Sequence, residues 1–120
     1  MAFKDFTSMS VWHKAHELVL DIYTLTDKFP NSEKFGMISD MRRAANTVLH
    51  NIAEGFGRYE NRDKTRFYKI SRGSAYELIS QSITACSLSY IANYEKERLA
   101  IKCKTIIGEL NLLIKTVETR

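Results

Sequence analysis

The chain has 120 residues, a formal net charge of +4, 44% hydrophobic and 27% charged residues, one proline and five glycines. That length suits one domain, residues 1–120, with a core large enough to need no disulfide staples. So few helix breakers point to long helices.

Cys86 and Cys103 lie in helical-looking segments without C-x-x-C spacing, and read as small core residues in a reducing compartment. The terminal stretch M-A-F-K-D-F-T-S has no apolar run, so secretion is not expected and a cytoplasmic location is. Leu78 to Tyr94 carries no charge, yet Ser80, Gln81, Ser82, Ser87 and Asn93 make it too polar to span a membrane.

The spacing predicts four helices. The first covers about residues 11–28, with Ser10 as N-cap and an apolar stripe of Val11, Ala15, Leu18, Ile22 and Leu25. Phe29-Pro30 ends it, because the residue before proline is pushed out of the α region. The second covers about 32–54, burying Ile38, Met41, Ala45, Val48 and Ile52, with Gly55 expected as a left-handed residue just past its end.

The third covers about 62–88 after an Asn61 cap, with Phe67, Ile70, Ser74, Leu78 and Gln81 as its apolar positions and Phe67 expected in the core. Ala75, Ser82 and Ser89 recur every seven residues as a flank of small side chains, open to a helix of this bundle or of another subunit. The fourth covers about 94–118 after Asn93, with the stripe Leu99, Cys103, Ile106, Leu110, Leu113 and Val117. Four amphipathic helices with short connections imply an all-α fold, an antiparallel up-down four-helix bundle.

The positive charge is concentrated. Between Arg42 and Arg72 stand eight bases (Arg42, Arg43, Arg58, Arg62, Lys64, Arg66, Lys69, Arg72) against Glu54, Glu60 and Asp63. That is a surplus of five, so the rest of a +4 chain carries −1. Arg62, Arg66 and Lys69 are spaced by four and three and share one helix face, with Tyr59, Phe67 and Tyr68 interleaved. A basic stripe near aromatics suits phosphate backbones and unstacked bases. Glu54 opposes the dipole of the second helix from its last turn, so a basic partner is expected, Arg58 or an arginine from elsewhere.

Enzyme signals are weak. His13, His16 and Glu17 in H-K-A-H-E fit neither H-E-x-x-H nor H-x-x-E-H, and G-F-G at 55–57 lacks a preceding strand. No nucleophile and base form a constellation. The sequence reads as a non-enzyme, with no cofactor and no metal expected.

The run V-W-H-K-A at 11–15, I-Y-T-L-T-D-K-F-P at 22–30, E-K-F-G-M at 33–37, R-R-A-A-N at 42–46, N-I-A-E-G-F-G-R at 51–58 and R-G-S-A-Y-E-L at 72–78 resembles a known family. It is similar to the proteins encoded inside intervening sequences of bacterial 23S ribosomal RNA, often labelled as candidate ribosomal proteins. The accessory protein of diversity-generating retroelements is a relative. The resemblance runs from Phe3 to about Ile91. Asp40, Leu49 and Met9 depart from residues frequent in the family (Gln, Pro and Leu), and Leu49 implies a straighter second helix. The resemblance implies a four-helix bundle, assembly as a ring-shaped homopentamer, nucleic-acid binding and no enzyme activity. Carried over by motif, it also marks Arg43, Asn51, Glu54, Arg58 and Glu77 as polar positions that matter for folding, assembly or binding.

The sequence therefore leads to a cytoplasmic, homo-oligomeric RNA- or DNA-binding protein without sequence preference. It would contact backbone phosphates through Arg58, Arg62, Arg66, Lys69 and Arg72. The rival expectation is a scaffold whose basic face meets an acidic protein partner.

Overall fold

The computed structural model describes residues 4–120; Met1 to Phe3, where the terminal stretch and the family resemblance begin, lie outside the described residues. A 3-10 turn (Phe6–Ser8) leads into α1 (Ser10–Thr26). A second one (Asn31–Glu33) precedes α2 (Met37–Gly57), and α3 (Asn61–Ser87) and α4 (Asn93–Glu118) follow. These four helices form an antiparallel up-down bundle 46 Å long and 24 by 20 Å across. No strand occurs among the described residues. The packing of α3 against α2 and α4 is extensive, whereas α1 and α4 meet least. Ion pairs Lys14–Glu109, Lys28–Glu95 and Lys102–Asp21 line that looser α1–α4 seam.

The stripes of α1, α2 and α4 go into the core much as their spacing predicts. Ala15, Leu18, Ile22, Met41, Ala45, Val48, Ile52, Cys103 and Leu110 are fully buried, while Leu25, Ile38 and Leu113 sit half-buried at its edge. Burying such side chains contributes roughly 1.5–3 kcal/mol each. Burial pushes the Cys103 thiol up to about 12, so it stays a protonated core residue. Among the described residues both cysteines are free.

On α3 only Leu78 of the expected stripe is fully buried, and the other four positions are displaced by one residue. The buried positions are Thr65, Tyr68, Ser71, Ala75, Leu78, Ser82 and Ala85, whereas Ile70 is exposed and Phe67 half-buried. One residue is about 100° of helix rotation. The buried hydroxyls tolerate this because each is bonded: Ser71 Oγ donates to the Val48 carbonyl at 2.7 Å and Ser82 Oγ to Ile79 at 2.7 Å. Ala75 and Ser82 are fully buried and serve packing within this bundle, whereas Ser89, the third member of the expected flank, is exposed beyond the end of α3.

Helix ends also differ from expectation. Each cap falls one residue early: Met9, Glu60 and Ala92 hold the extended N-cap conformation, and Ser10, Asn61 and Asn93 are already helical. In α4 the Glu95 carboxylate accepts the Ala92 N–H at 2.9 Å, supplying the cap from inside the helix. Five residues late, α2 starts at Met37 because Glu33 accepts the Met37 N–H at 3.2 Å. Its carboxylate passes directly over Gly36, where a Cβ would lie 2.7 Å from the oxygen. The left-handed exit expected at Gly55 occurs instead at Ser89 (φ 64°), where Tyr90 N–H bonds Ala85 O and Ser89 N–H bonds Cys86 O, a Schellman closure of α3.

Candidate functional site

The α2–α3 end of the bundle is built on a close contact. Gly55 lies inside α2, and a Cβ there would come within 2.6 Å of the buried Tyr68 ring. Glycine is therefore required by the approach of α3, not by a turn. Burial pushes the Tyr68 hydroxyl up to about 12, against a smaller opposing effect of Arg120.

Lys64 Nζ then donates to the carbonyls of Phe56 at 2.7 Å and Gly55 at 3.3 Å, satisfying the open end of α2. Its pKa is lowered, first by burial and second by the Arg120 guanidinium. These contacts fix how α3 is rotated and leave only Arg58 to Glu60 between the two helices.

That rotation turns Arg62, Arg66 and Lys69 to the outside. Together with Asn61, Asp63 and Ile70 of α3 and Glu118 of α4 they line an open depression of about 850 Å³. Lys69 pairs with Glu118 at 2.8 Å across the α3–α4 seam. Arg58 leans the other way, pairing with Glu54 at 3.2 Å and lying 4.7 Å from the centre of the Phe67 ring. Arg66 lies over the same ring at 4.4 Å, so Phe67 is an edge residue carrying two guanidiniums. Arg72 points towards α4 and donates to Asn111 Oδ1 at 2.9 Å.

Of the five expected contact residues, Arg62, Arg66 and Lys69 share one exposed face of α3 as their spacing predicts, Arg58 precedes the helix and Arg72 turns towards α4. Among the described residues, Arg62, Arg66 and Arg72 meet no carboxylate at ion-pair distance. Tyr59, in the turn, is 91% exposed. Sequence reasoning missed the capping use of Lys64, and missed Glu118 and Arg120, which reach this end only because α4 runs antiparallel to α3.

The motif residues are mostly structural ties. Arg43 pairs with Glu77 at 3.3 Å, joining α2 to α3, and Gln81 donates to the same carboxylate at 3.3 Å. Asn51 donates to its own helix at the Thr47 carbonyl, 2.8 Å away. Glu54 has the partner expected for it, Arg58. In H-K-A-H-E, His16 stacks on Trp12 with ring centres 5.0 Å apart. No group of three His, Cys, Asp or Glu residues could hold a metal among the described residues. None of the described helices is long and apolar enough to cross a membrane.

The fold defines a small antiparallel four-helix-bundle protein with one basic end. Residues 7–112 match the family described as 23S rRNA-intervening sequence protein, and the chain belongs to that family. The match reaches further into α4 than the motifs legible by eye. A crystal structure of a protein of unknown function from the S23 ribosomal protein family of Bacteroides thetaiotaomicron is similar, with TM-score 0.81 and 23% identity. The alignment covers 88% of this chain and 98% of that one. At that identity the likeness establishes the fold. No curated protein is matched. Neither family description names a catalytic activity.

Proposed function

We propose that this protein is a non-enzymatic, cytoplasmic nucleic-acid-binding homo-oligomer that holds RNA by its backbone phosphates. The observation carrying this reading is the outward pair Arg62 and Arg66, without carboxylate partners among the described residues, beside Lys69 on an open depression. Guanidiniums that the fold leaves unsatisfied are available to phosphate oxygens, which they meet in bidentate geometry. Contacts of this kind position a strand without reading its sequence. Membership of a family named for a ribosomal RNA intervening sequence supports RNA over DNA.

Self-assembly, as the pentamer the family resemblance implies, is supported by an apolar stripe on the outer face of α4. There Tyr94, Ile101 and Leu112 are 65%, 66% and 68% exposed. Five copies of a +4 chain would place +20 on one ring.

The test is gentle purification followed by the absorbance ratio at 260 and 280 nm, nuclease identification of bound material, and light scattering. The expected result is copurifying RNA on an oligomer, and loss of the RNA in the Arg62→Glu/Arg66→Glu variant. Nucleic-acid-free protein that binds no added RNA would reject the binding claim. A monomer mass at micromolar concentration would reject assembly.

A further inference from the structure

Resting on the reading above, we propose that the α2–α3 turn is a stacking platform for an unpaired base, with the Tyr59 ring as its surface. The partner is thereby narrowed to single-stranded nucleic acid. Tyr59 is 91% exposed, and among the described residues its hydroxyl makes no hydrogen bond and its ring meets no other aromatic ring. The fold itself gains little from an aromatic there. Its sequence neighbours are Arg58 and Glu60, and Arg62 follows one residue after the three-residue turn ends, so two guanidinium-bearing positions lie within three residues of the ring.

Arg58 is also ordered before any ligand arrives. Glu54 fixes its guanidinium at 3.2 Å and the Phe67 ring lies beneath it at 4.7 Å, with Arg66 on the same ring at 4.4 Å. Phe67 is therefore a positioning residue: it orders two planar cations, Arg58 directly before Tyr59 and Arg66 in the second turn of α3, and their ordering entropy is lost on folding rather than on binding. Cations close in sequence to an exposed aromatic suit a strand whose phosphates run past a splayed base. A duplex hides its base faces in the stack, so it would use the cations and not the ring.

The opposite end of the bundle supplies a control. Phe35 is 90% exposed, but the cation over its ring is one lysine, Lys34 at 5.5 Å. Equal exposure with different charge separates stacking in a phosphate-binding field from general stickiness of an exposed ring.

The experiment is fluorescence anisotropy of a labelled short uridine homopolymer and of a labelled RNA duplex. The proteins are the natural chain, Tyr59→Ala, Tyr59→Trp and Phe35→Ala, each first shown to melt like the natural chain. Removing a stacked aromatic weakens binding by about tenfold or more. The expected result is that loss for Tyr59→Ala on the single strand, little change on the duplex, and near-full binding for Tyr59→Trp and Phe35→Ala. The slope of affinity against salt should stay unchanged in Tyr59→Ala, because no charge is lost. Equal single-strand binding by Tyr59→Ala and the natural chain overturns the platform while leaving phosphate binding intact. So does an equal loss on strand and duplex. If the natural chain binds neither probe, the nucleic-acid reading falls and the platform with it.

Discussion

Arg42 and Arg62 are both arginines on helix surfaces, and the bundle treats them oppositely. At the α1–α2 end, Arg42 Nε donates to Oγ1 of the buried Thr26 at 2.9 Å, while its guanidinium lies over the Tyr23 ring at 4.5 Å. Its Nη2 also reaches the Tyr23 carbonyl at 3.4 Å. Around it, Glu33 accepts from Tyr90 at 2.8 Å and caps α2, and Lys28 pairs with Glu95 at 2.6 Å. Arg62, at the α2–α3 end, has no ion pair among the described residues and lines an open depression.

The difference teaches that a charge count overstates the charge on offer. Of the eight bases between Arg42 and Arg72, the fold commits Arg42, Arg43 and Lys64, and sets Arg58 and Lys69 against carboxylates. Among the described residues, only Arg62 and Arg66 of these eight are left with neither an ion pair nor a side-chain hydrogen bond, since Arg72 donates to Asn111 Oδ1.

If the α2–α3 end is a scaffold clamped at Gly55, then Gly55→Ala should give the largest stability change. The new methyl meets the Tyr68 ring and, at 3.1 Å, the Lys64 carbonyl, so α3 must move. Overpacking of this kind costs about 1–3 kcal/mol. Gly57→Ala, with nothing within 4 Å of its Cβ, should be neutral or slightly stabilising. Urea denaturation of both variants checks the pair, and equal effects would remove the clamp from the account.

Sharpening the arginine contrast comes next. Arg42→Met should cost about 1–2 kcal/mol by losing the hydrogen bonds to Thr26 and the Tyr23 carbonyl, a long ion pair with the exposed Asp27 and one cation–π contact. Arg62→Met should fall within about 0.5 kcal/mol of the natural chain. Comparable melting curves for the two variants would erase the distinction between committed and available charge.

The smallest effect is a pH dependence at the committed end. The Glu95 carboxyl is held below its usual value of 4.5, first by its hydrogen bond with the Lys28 ammonium and then by the Ala92 N–H. A depressed folded-state value means that the stabilisation is fully present above about pH 4.5 and fades as pH falls through the folded value. Glu95→Ala should therefore cost about 1 kcal/mol near neutrality, mostly through the cap, since the partly exposed ion pair adds little. The difference should shrink on acidification, as read by urea melts across that range. A constant difference would contradict the assignment.

The sequence showed the core faces of α1, α2 and α4 well because their buried apolar residues recur at steps of three and four. It misplaced the α3 face because hydrophobicity does not report burial there. Thr65, Ser71 and Ser82 are inside, whereas Ile70, Tyr76 and Ile83 are 41%, 56% and 52% exposed. Gly55 was misread for a similar reason: in sequence a glycine near a helix end suggests a left-handed exit, and only the tertiary approach of Tyr68 shows the need for a missing Cβ. The basic face of α3 was legible from its spacing. Which bases were already engaged was not, because their partners Asn111 and Glu118 lie on α4, dozens of residues away along the chain.

The account rests most on Arg62 and Arg66 being available to phosphate. The direct measurement is the dissociation constant of a short uridine homopolymer across a salt series, for the natural chain and Arg62→Glu/Arg66→Glu. Each neutralised phosphate of a single strand contributes a log–log slope of about −0.7, so a grip by three or four bases gives about −2 to −3 per chain. The predicted result is that slope for the natural chain, and loss of most of the binding in a variant that melts and assembles normally. A variant that keeps both the affinity and the slope would show the basic face of α3 to be only solvated surface.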